Sequence, residues 1–351
     1  MKDRHNRFLV FLIAYTICCC VNGVFLCEMA DACYIYALMI KHTFVLLGVF
    51  FLGICLSPSC VRPSKGNRDG KRPAFEPIAG IDFYETRRGF DNGLSFDTIG
   101  FQQEPIWHIR FTNNDSVKIH SLKGDSMLHY AIYYDHDSIF HFGREWFRVI
   151  NLNRDSLMLQ RLTVQHLRVK EARSNVYMQF YSDRFIRDSL KTRVDILRRP
   201  SARDSAFVRA MAKRANDNPS NFDSLFSARN PVKFSPKSDL ITIKKREAEE
   251  GDALSKSAAY YYLYPEFDVV INRAYKDFSY SFSAFVDEKG KMTVAKFITS
   301  PEFEASRRKV LQGILDVYFH NLLEIKPGST LGMPHNTLVM LHVRGTTEAK
   351  P

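Results

Sequence analysis

Beyond residue 60 the chain contains no cysteine, because all seven fall at Cys18, Cys19, Cys20, Cys27, Cys33, Cys55 and Cys60. A thiol-free body has no disulfide framework, no thiolate metal site and no cysteine nucleophile. Also missing are a Gly-x-Ser-x-Gly elbow, a His-Glu-x-x-His pair and a phosphate-binding glycine loop. Those spacings serve acyl transfer, zinc-dependent hydrolysis and nucleotide binding, so no catalytic residue, metal ligand or cofactor site is read from the sequence. Acidic residues are too few to balance the basic ones, and the formal net charge is +11. Such a surface suits anionic lipid or an acidic glycan, while no recognised nucleic-acid module accompanies the charge. At 351 residues and 45% hydrophobic content, the chain is long and apolar enough for two packed domains.

What is present begins with two apolar stretches, Phe8 to Leu26 and Phe44 to Leu56. The second follows Lys41 and His42 and precedes Ser57-Pro58-Ser59-Cys60, the order of basic region, short apolar region and small residues of an export signal. It is shorter than the ~20 residues a membrane helix needs, and Met39 stands where such a signal would begin. Phe8 to Leu26 is long enough to span and is either an upstream extension or a membrane segment. After Cys60, the residues Arg62, Lys65, Arg68, Lys71 and Arg72 lie in a Pro/Gly-rich stretch that reads as a flexible basic tether near anionic headgroups.

Leu56-Ser57-Pro58-Ser59-Cys60 resembles the lipobox of bacterial lipoproteins, with Pro58 departing from the usual small residue. The resemblance implies acyl attachment at Cys60 and a periplasm-facing outer-membrane lipoprotein of the cell envelope, or else an inner-membrane anchor.

From Ile106 to Val169, short runs rich in β-branched and aromatic residues alternate with polar turns, predicting an antiparallel meander. Four turns share one pair, Asp115-Ser116, Asp125-Ser126, Asp137-Ser138 and Asp155-Ser156, whose side chains are expected to bond the backbone two residues on. With Trp107 and Trp146-Phe147, the stretch resembles the small lipocalin-like domains of exported Bacteroidota proteins. That implies a barrel either filled by its own side chains or closed around a small apolar ligand.

Asp188 to Arg198 and Asp204 to Ala215 read as basic helices with Asp188 and Asp204 as N-caps. A domain boundary is expected between Pro231 and Gly251. Beyond it, Pro265 to Tyr275 carries Phe267, Val270, Ile271 and Ala274 at helical spacing. Tyr280 to Val286 and Met292 to Ile298 flank Asp287-Glu288-Lys289-Gly290 as a hairpin, Phe303 to His320 reads as a helix and Leu338 to Val343 as a closing strand.

The hairpin Phe282 to Met292, then Lys326-Pro327-Gly328, Gly332-Met333-Pro334 and the strand Thr337 to Val343 resemble the TonB C-terminal domain family in order and spacing. Ile325 replaces the family's tryptophan before the Pro-Gly turn. The resemblance implies that Leu338, Val339, Met340, Leu341, His342 and Val343 form an edge strand to which an envelope protein, such as an outer-membrane protein, adds a strand.

The organisation expected for this α+β chain is thus an extension or membrane segment over 1–38, a signal peptide over 39–59 and a tether over 60–75. A lipocalin-like β domain over 76–170, a helical connector over 171–250 and a TonB C-terminal-like domain over 251–345 follow. Its expected function is that of a non-enzymatic, protein-binding assembly lipoprotein, with a lipocalin-like carrier of a small apolar ligand as the alternative.

Two further patterns bear on sites. His129, Asp135, His136, Asp137 and His141 cluster in sequence, but strand alternation and the turn at Asp137 do not bring them to one face, so they read as solvated turn residues. Asp followed by Ser or Thr and an apolar residue recurs far above the order of one match expected from composition. The triplet resembles the O-glycosylation signal of Bacteroidota periplasmic proteins, implying acceptors at Thr98, Ser116, Ser126, Ser138, Ser156, Ser189, Ser205 and Ser224. Turn and N-cap chemistry explains most of these positions equally well.

Overall fold

The computed structural model describes residues 72–122, 124–246 and 258–348. Cys60, the signal peptide and nearly all of the tether lie outside them, and no described helix is long and apolar enough to cross a membrane.

The first half is built from β1 (Asp82–Phe90), β2 (His108–Asn113), β3 (Ser116–His120), β4 (Met127–Ala131), β5 (Tyr133–Tyr134), β6 (Ile139–Phe142), β7 (Glu145–Leu152) and β8 (Ser156–Leu162). A small ribbon of β9 (Val164–Gln165) and β10 (Arg168–Val169) follows, and then β11 (Val176–Ser182). All but the ribbon form one nine-stranded sheet in the order β4-β3-β2-β1-β11-β8-β7-β6-β5. Its two edges, β4 and β5, are consecutive in the chain and separated only by the buried Ile132. Strands joined by one residue cannot lie at opposite ends of a flat sheet, so this one curls into a nearly closed antiparallel barrel.

Alternation sends Phe83, Ile109, Phe111, Val117, Ile119, Leu157, Leu159, Met178 and Phe180 inward, all essentially inaccessible. The lead-in segment adds Phe75, which stacks on Phe111 at 4.1 Å and meets Phe140 edge-on at 5.0 Å. Asn114 holds this segment in place by accepting from the N–H groups of Phe75 and Glu76. Trp107 packs inside against Phe147, whereas Trp146 lies on the outer face, stacked on His141 at 4.2 Å.

Of the turns, Asp115-Ser116 and Asp155-Ser156 are held by a residue outside the repeated pair. Asn113 accepts from the N–H of Asp115, and Asn153 accepts from the N–H groups of Asp155 and Ser156. With the turn held by an Asx residue two positions earlier, the Asp side chains are left to pair elsewhere, Asp115 with Arg72 at 3.1 Å and Asp155 with Arg184 at 3.3 Å.

The sheet runs past the expected boundary at 170, because β11 returns between β1 and β8. Correspondingly, the helix expected over Asp188 to Arg198 is broken into a π turn (Phe185–Ser189) and α1 (Val194–Leu197). Lys191 between them takes φ +48°, which no α-helix tolerates.

The next helix, α2 (Ala202–Asp217), starts two residues earlier and ends two residues later than expected. Ser201 is its N-cap and Asp204 the third residue of a capping box, with each side chain accepting from the other's backbone N–H. Asp204 is buried because its second oxygen accepts from Ser95 N–H at 2.7 Å, joining α2 to the loop after β1.

In the second half, β12 (Lys233–Pro236) pairs with β17 (Leu323–Lys326), and β13 (Ile241–Lys245) joins the main sheet. After α3 (Ala258–Leu263) come β14 (Glu266–Asn272), β15 (Phe278–Val286), β16 (Met292–Phe297) and α4 (Glu304–Ile314), which continues through a π turn to Leu322. Two short strands, β18 (Ser329–Thr330) and β19 (Met333–Pro334), precede β20 (Thr337–Thr346). The five-stranded order is β13-β14-β20-β15-β16.

The helix expected over Pro265 to Tyr275 is therefore a strand. Phe267, Val269 and Ile271 are buried in strict alternation, and Val269-Val270-Ile271 is a β-branched run whose period-two packing prevails over the apparent helical spacing. The hairpin forms as expected. Asp287 N–H donates to Lys291 O, and Gly290 takes φ +84°, where an added Cβ would lie 2.7 Å from Ile325 O.

The expected edge residues Leu338 to Val343 lie inside the sheet, with β15 antiparallel on one side and β14 parallel on the other from Met340 onward. The true edges are β13 and β16. Along β16 the backbone is capped by α4: Gln312 accepts from Val294 N–H and donates to Met292 O, and Arg308 donates to Val294 O.

Candidate functional site

Met340 N–H donates to Pro265 O at 2.9 Å, the first bond by which β14 covers β20. Two residues earlier, Leu338 turns its backbone groups the same way, but β14 has not yet begun and Pro265 has no N–H to offer. Here the sheet gives way to a cleft of about 970 Å³.

Leu338, Val339 and Met340 form its floor, with Ser283 and Lys296 from the neighbouring hairpin and Glu266 and Arg246 from the β14 side. The walls come from distant parts of the chain: Ile99 from the loop after β1, Arg214 from α2, Phe222 and Phe226 from the segment after it, and Tyr261 and Tyr264 around the end of α3. Phe226 is buried and fixed against Phe207 and His335, whereas Ile99, Phe222, Tyr261, Tyr264 and Met340 are exposed. Local bonds hold these walls. Asp97 accepts from Ile99 and Phe101 N–H, Ser227 N–H donates to Ile99 O, and Ser227 Oγ donates to Leu263 O. The buried Tyr262 hydroxyl accepts from Gln102 N–H, which anchors α3.

Three cations line the cleft, and they differ in how they are neutralised. Arg246 forms ion pairs with Asp268 at 2.7 Å and with Glu266 at 3.3 Å. Arg214 and Lys296 have no carboxylate within ion-pair distance among the described residues. Arg214 reaches only Thr98 O, at 3.5 Å through Nη2, and its Nε is buried without a partner. Behind the wall, Lys245 Nζ sits 3.0 Å from the centroid of Tyr261 and also lacks a hydrogen bond. Burial pushes this amine down to about 8. Of the two lining carboxylates, Glu266 is held by Arg246, and Asp223 lies in the turn capped by Asn221.

The expected site residues are thus divided. Leu338, Val339 and Met340 reach the cleft, Leu341 and Val343 are core, and His342 bridges Ser281 and Glu266. Among the glycosylation candidates, Thr98, Ser126 and Ser189 are exposed, and Ser116, Ser138, Ser156 and Ser205 are partly covered. Ser224 is buried, which removes it from the set of accessible acceptors. His136 pairs with Asp135 and His141 stacks between Tyr133 and Trp146, while His129 is exposed on β4. Cys60 lies outside the described residues.

No local sequence pattern brings Arg214, Lys296, Phe222 and Tyr264 together. The one available signal was Pro265, which cannot extend a strand ladder and so leaves a gap beside β20. No protein-family model matches the chain, and no curated protein matches it.

Proposed function

We propose that the chain is a non-catalytic binding protein of the cell envelope, exported by the signal before Cys60 and held to the membrane by acyl chains on that residue. The observation that carries the binding role is the cleft, where exposed aromatic and apolar side chains surround Arg214 and Lys296, two cations with no carboxylate partner among the described residues. Such a mixture of aromatic rings, Met and Arg is the composition of a recognition surface. The export signal, the absence of later cysteine and the basic residues after Cys60 support the anchor.

In this reading the C-terminal half is a TonB-like module that has acquired two strands. The β16-β15-β20 arrangement with α4 supports the likeness, while β14 and β13 occupy the side of β20 where a guest strand was expected. Recognition then moves from the strand edge to the cleft beside it. The barrel serves as a scaffold, since its interior is taken up by Phe75, Phe111, Phe140, Phe142 and Phe147 in mutual ring contact. That filling favours a binding and assembly role over carriage of an apolar ligand inside the barrel.

A photo-crosslinking residue placed at Met340 or Tyr264 tests the binding role in intact envelopes, with Lys289 on the exposed hairpin as control. Capture at the cleft positions and not at Lys289 is expected, and capture at none of them would overturn the reading. Growth with a labelled fatty acid tests the anchor, because Cys60→Ala must lose the label that the wild type carries.

A further inference from the structure

Resting on the reading of the cleft as the recognition surface, we propose that its occupant is an amphipathic anion, an acyl chain ending in a carboxylate or phosphate head. The volume of about 970 Å³ lies within the range of small-molecule sites, roughly 300–1,000 Å³. Ile99, Phe222, Tyr264 and Met340 offer exposed apolar surface for the chain. Arg214 and Lys296 offer the charge, while Arg246 is already engaged with Asp268 and Glu266.

Two other classes of occupant fit less well. A neutral apolar molecule would leave the buried Arg214 Nε without an acceptor, a standing penalty that an anionic oxygen relieves. An extended peptide adding to the sheet needs a row of free backbone groups beside β20, and only Leu338 supplies them. On one side of it Met340 N–H is bonded to Pro265 O, and on the other Asn336 N–H is held by Asn216 Oδ1 at 2.7 Å. One residue of main-chain pairing does not seat a strand. Asp223 and Glu266 also line the cleft. Because Glu266 is neutralised by Arg246, the head of the ligand is directed toward Arg214 and Lys296.

The test uses the purified, delipidated full chain and displacement of a dansyl-undecanoate probe. Palmitate and hexadecanol share a chain and differ in charge, and phosphatidylglycerol vesicles present the same chemistry from a membrane. Palmitate is expected to displace the probe at least about tenfold more tightly than hexadecanol, the size of one charge-assisted hydrogen bond. Arg214→Met and Lys296→Met should each bring the ratio of palmitate to hexadecanol affinity down toward one. Lys296 is exposed, so its variant reports on binding even if Arg214→Met fails to fold.

Displacement by free palmitate alone assigns a fatty acid, and displacement by vesicles as well assigns a lipid headgroup. Equal affinity for palmitate and hexadecanol, no displacement by either, or wild-type selectivity in the folded Lys296→Met variant overturns the proposal. Should the cleft crosslink a protein in the envelope yet take no palmitate, the occupant is wrong and the recognition surface stands. Capture of nothing at Met340 or Tyr264 removes the surface itself.

Discussion

The carbonyl of Pro265 accepts the N–H of Met340 at 2.9 Å, so the strand expected to lie open along the sheet edge is bonded on both sides from that residue on. A proline at Met340 removes this donor inside a central strand. Met340→Pro should therefore cost about 3 kcal/mol or more, seen as an early midpoint in urea unfolding. A variant that unfolds like the wild type would place β20 at an edge after all.

Gln312 performs for β16 what a neighbouring strand would otherwise do. Its amide accepts from Val294 N–H at 3.0 Å and donates to Met292 O at 3.1 Å. Gln312→Leu keeps the volume and strands both backbone groups, for an expected loss of about 1–3 kcal/mol. The uncapped edge should also promote self-association, measured by light scattering against concentration. Unchanged stability together with a monomeric variant would show that the edge does not depend on this side chain.

How far the fold could be read in advance depends on the range of the forces involved. The strands from β2 to β8 follow from local alternation, and the β15–β16 hairpin follows from Gly290 closing its turn. Phe267, Val270 and Ile271 satisfied a helical spacing as well as a strand, and only the sheet beneath them decides between the two. The edge position of β20 failed for that same reason, because once β14 is a strand it needs a neighbour. Ser201 holds the cap position expected of Asp204, and that choice rests on Ser95, over a hundred positions away, drawing Asp204 inward. The cleft was illegible because Ile99, Arg214, Phe222, Tyr264, Lys296 and Leu338 share no local pattern.

Glu85 is the polar keystone of the barrel. Fully buried beside a β-bulge, it accepts from Arg88 at 2.6 and 2.7 Å and from Ile106 and Trp107 N–H at 2.9 Å. Glu85→Ala leaves Arg88 as an uncompensated buried charge and orphans two backbone donors, for an expected loss of about 3–5 kcal/mol. In the double variant with Arg88→Met the two losses should fall well short of additive, because they belong to one pair. Additive losses in denaturant melts would dissolve the pair as a unit.

Acid should weaken the C-terminal half through His335, which is buried against Phe226 at 5.3 Å. Arg229 N–H donates to Thr330 Oγ1, so the Thr330 hydroxyl has its own proton left to give to His335 Nε2 at 3.1 Å. His335 Nδ1 then carries the ring proton and donates to Asn336 O at 3.2 Å, a neutral tautomer with both nitrogens satisfied. Burial accordingly holds the imidazole below its ordinary value of 6.5. A depressed folded value means that the unfolded chain takes up the proton first. Stability from this group is complete above about pH 6.5 and declines as the pH falls through the lower folded value. His335→Gln should be less stable than the wild type near neutrality, by about 1–3 kcal/mol for the disturbed bonds. The gap between the two should narrow toward about pH 5, because glutamine has no proton to gain. Urea melts of both proteins at the two pH values measure it, and a gap that stays constant would remove His335 as the source of acid sensitivity.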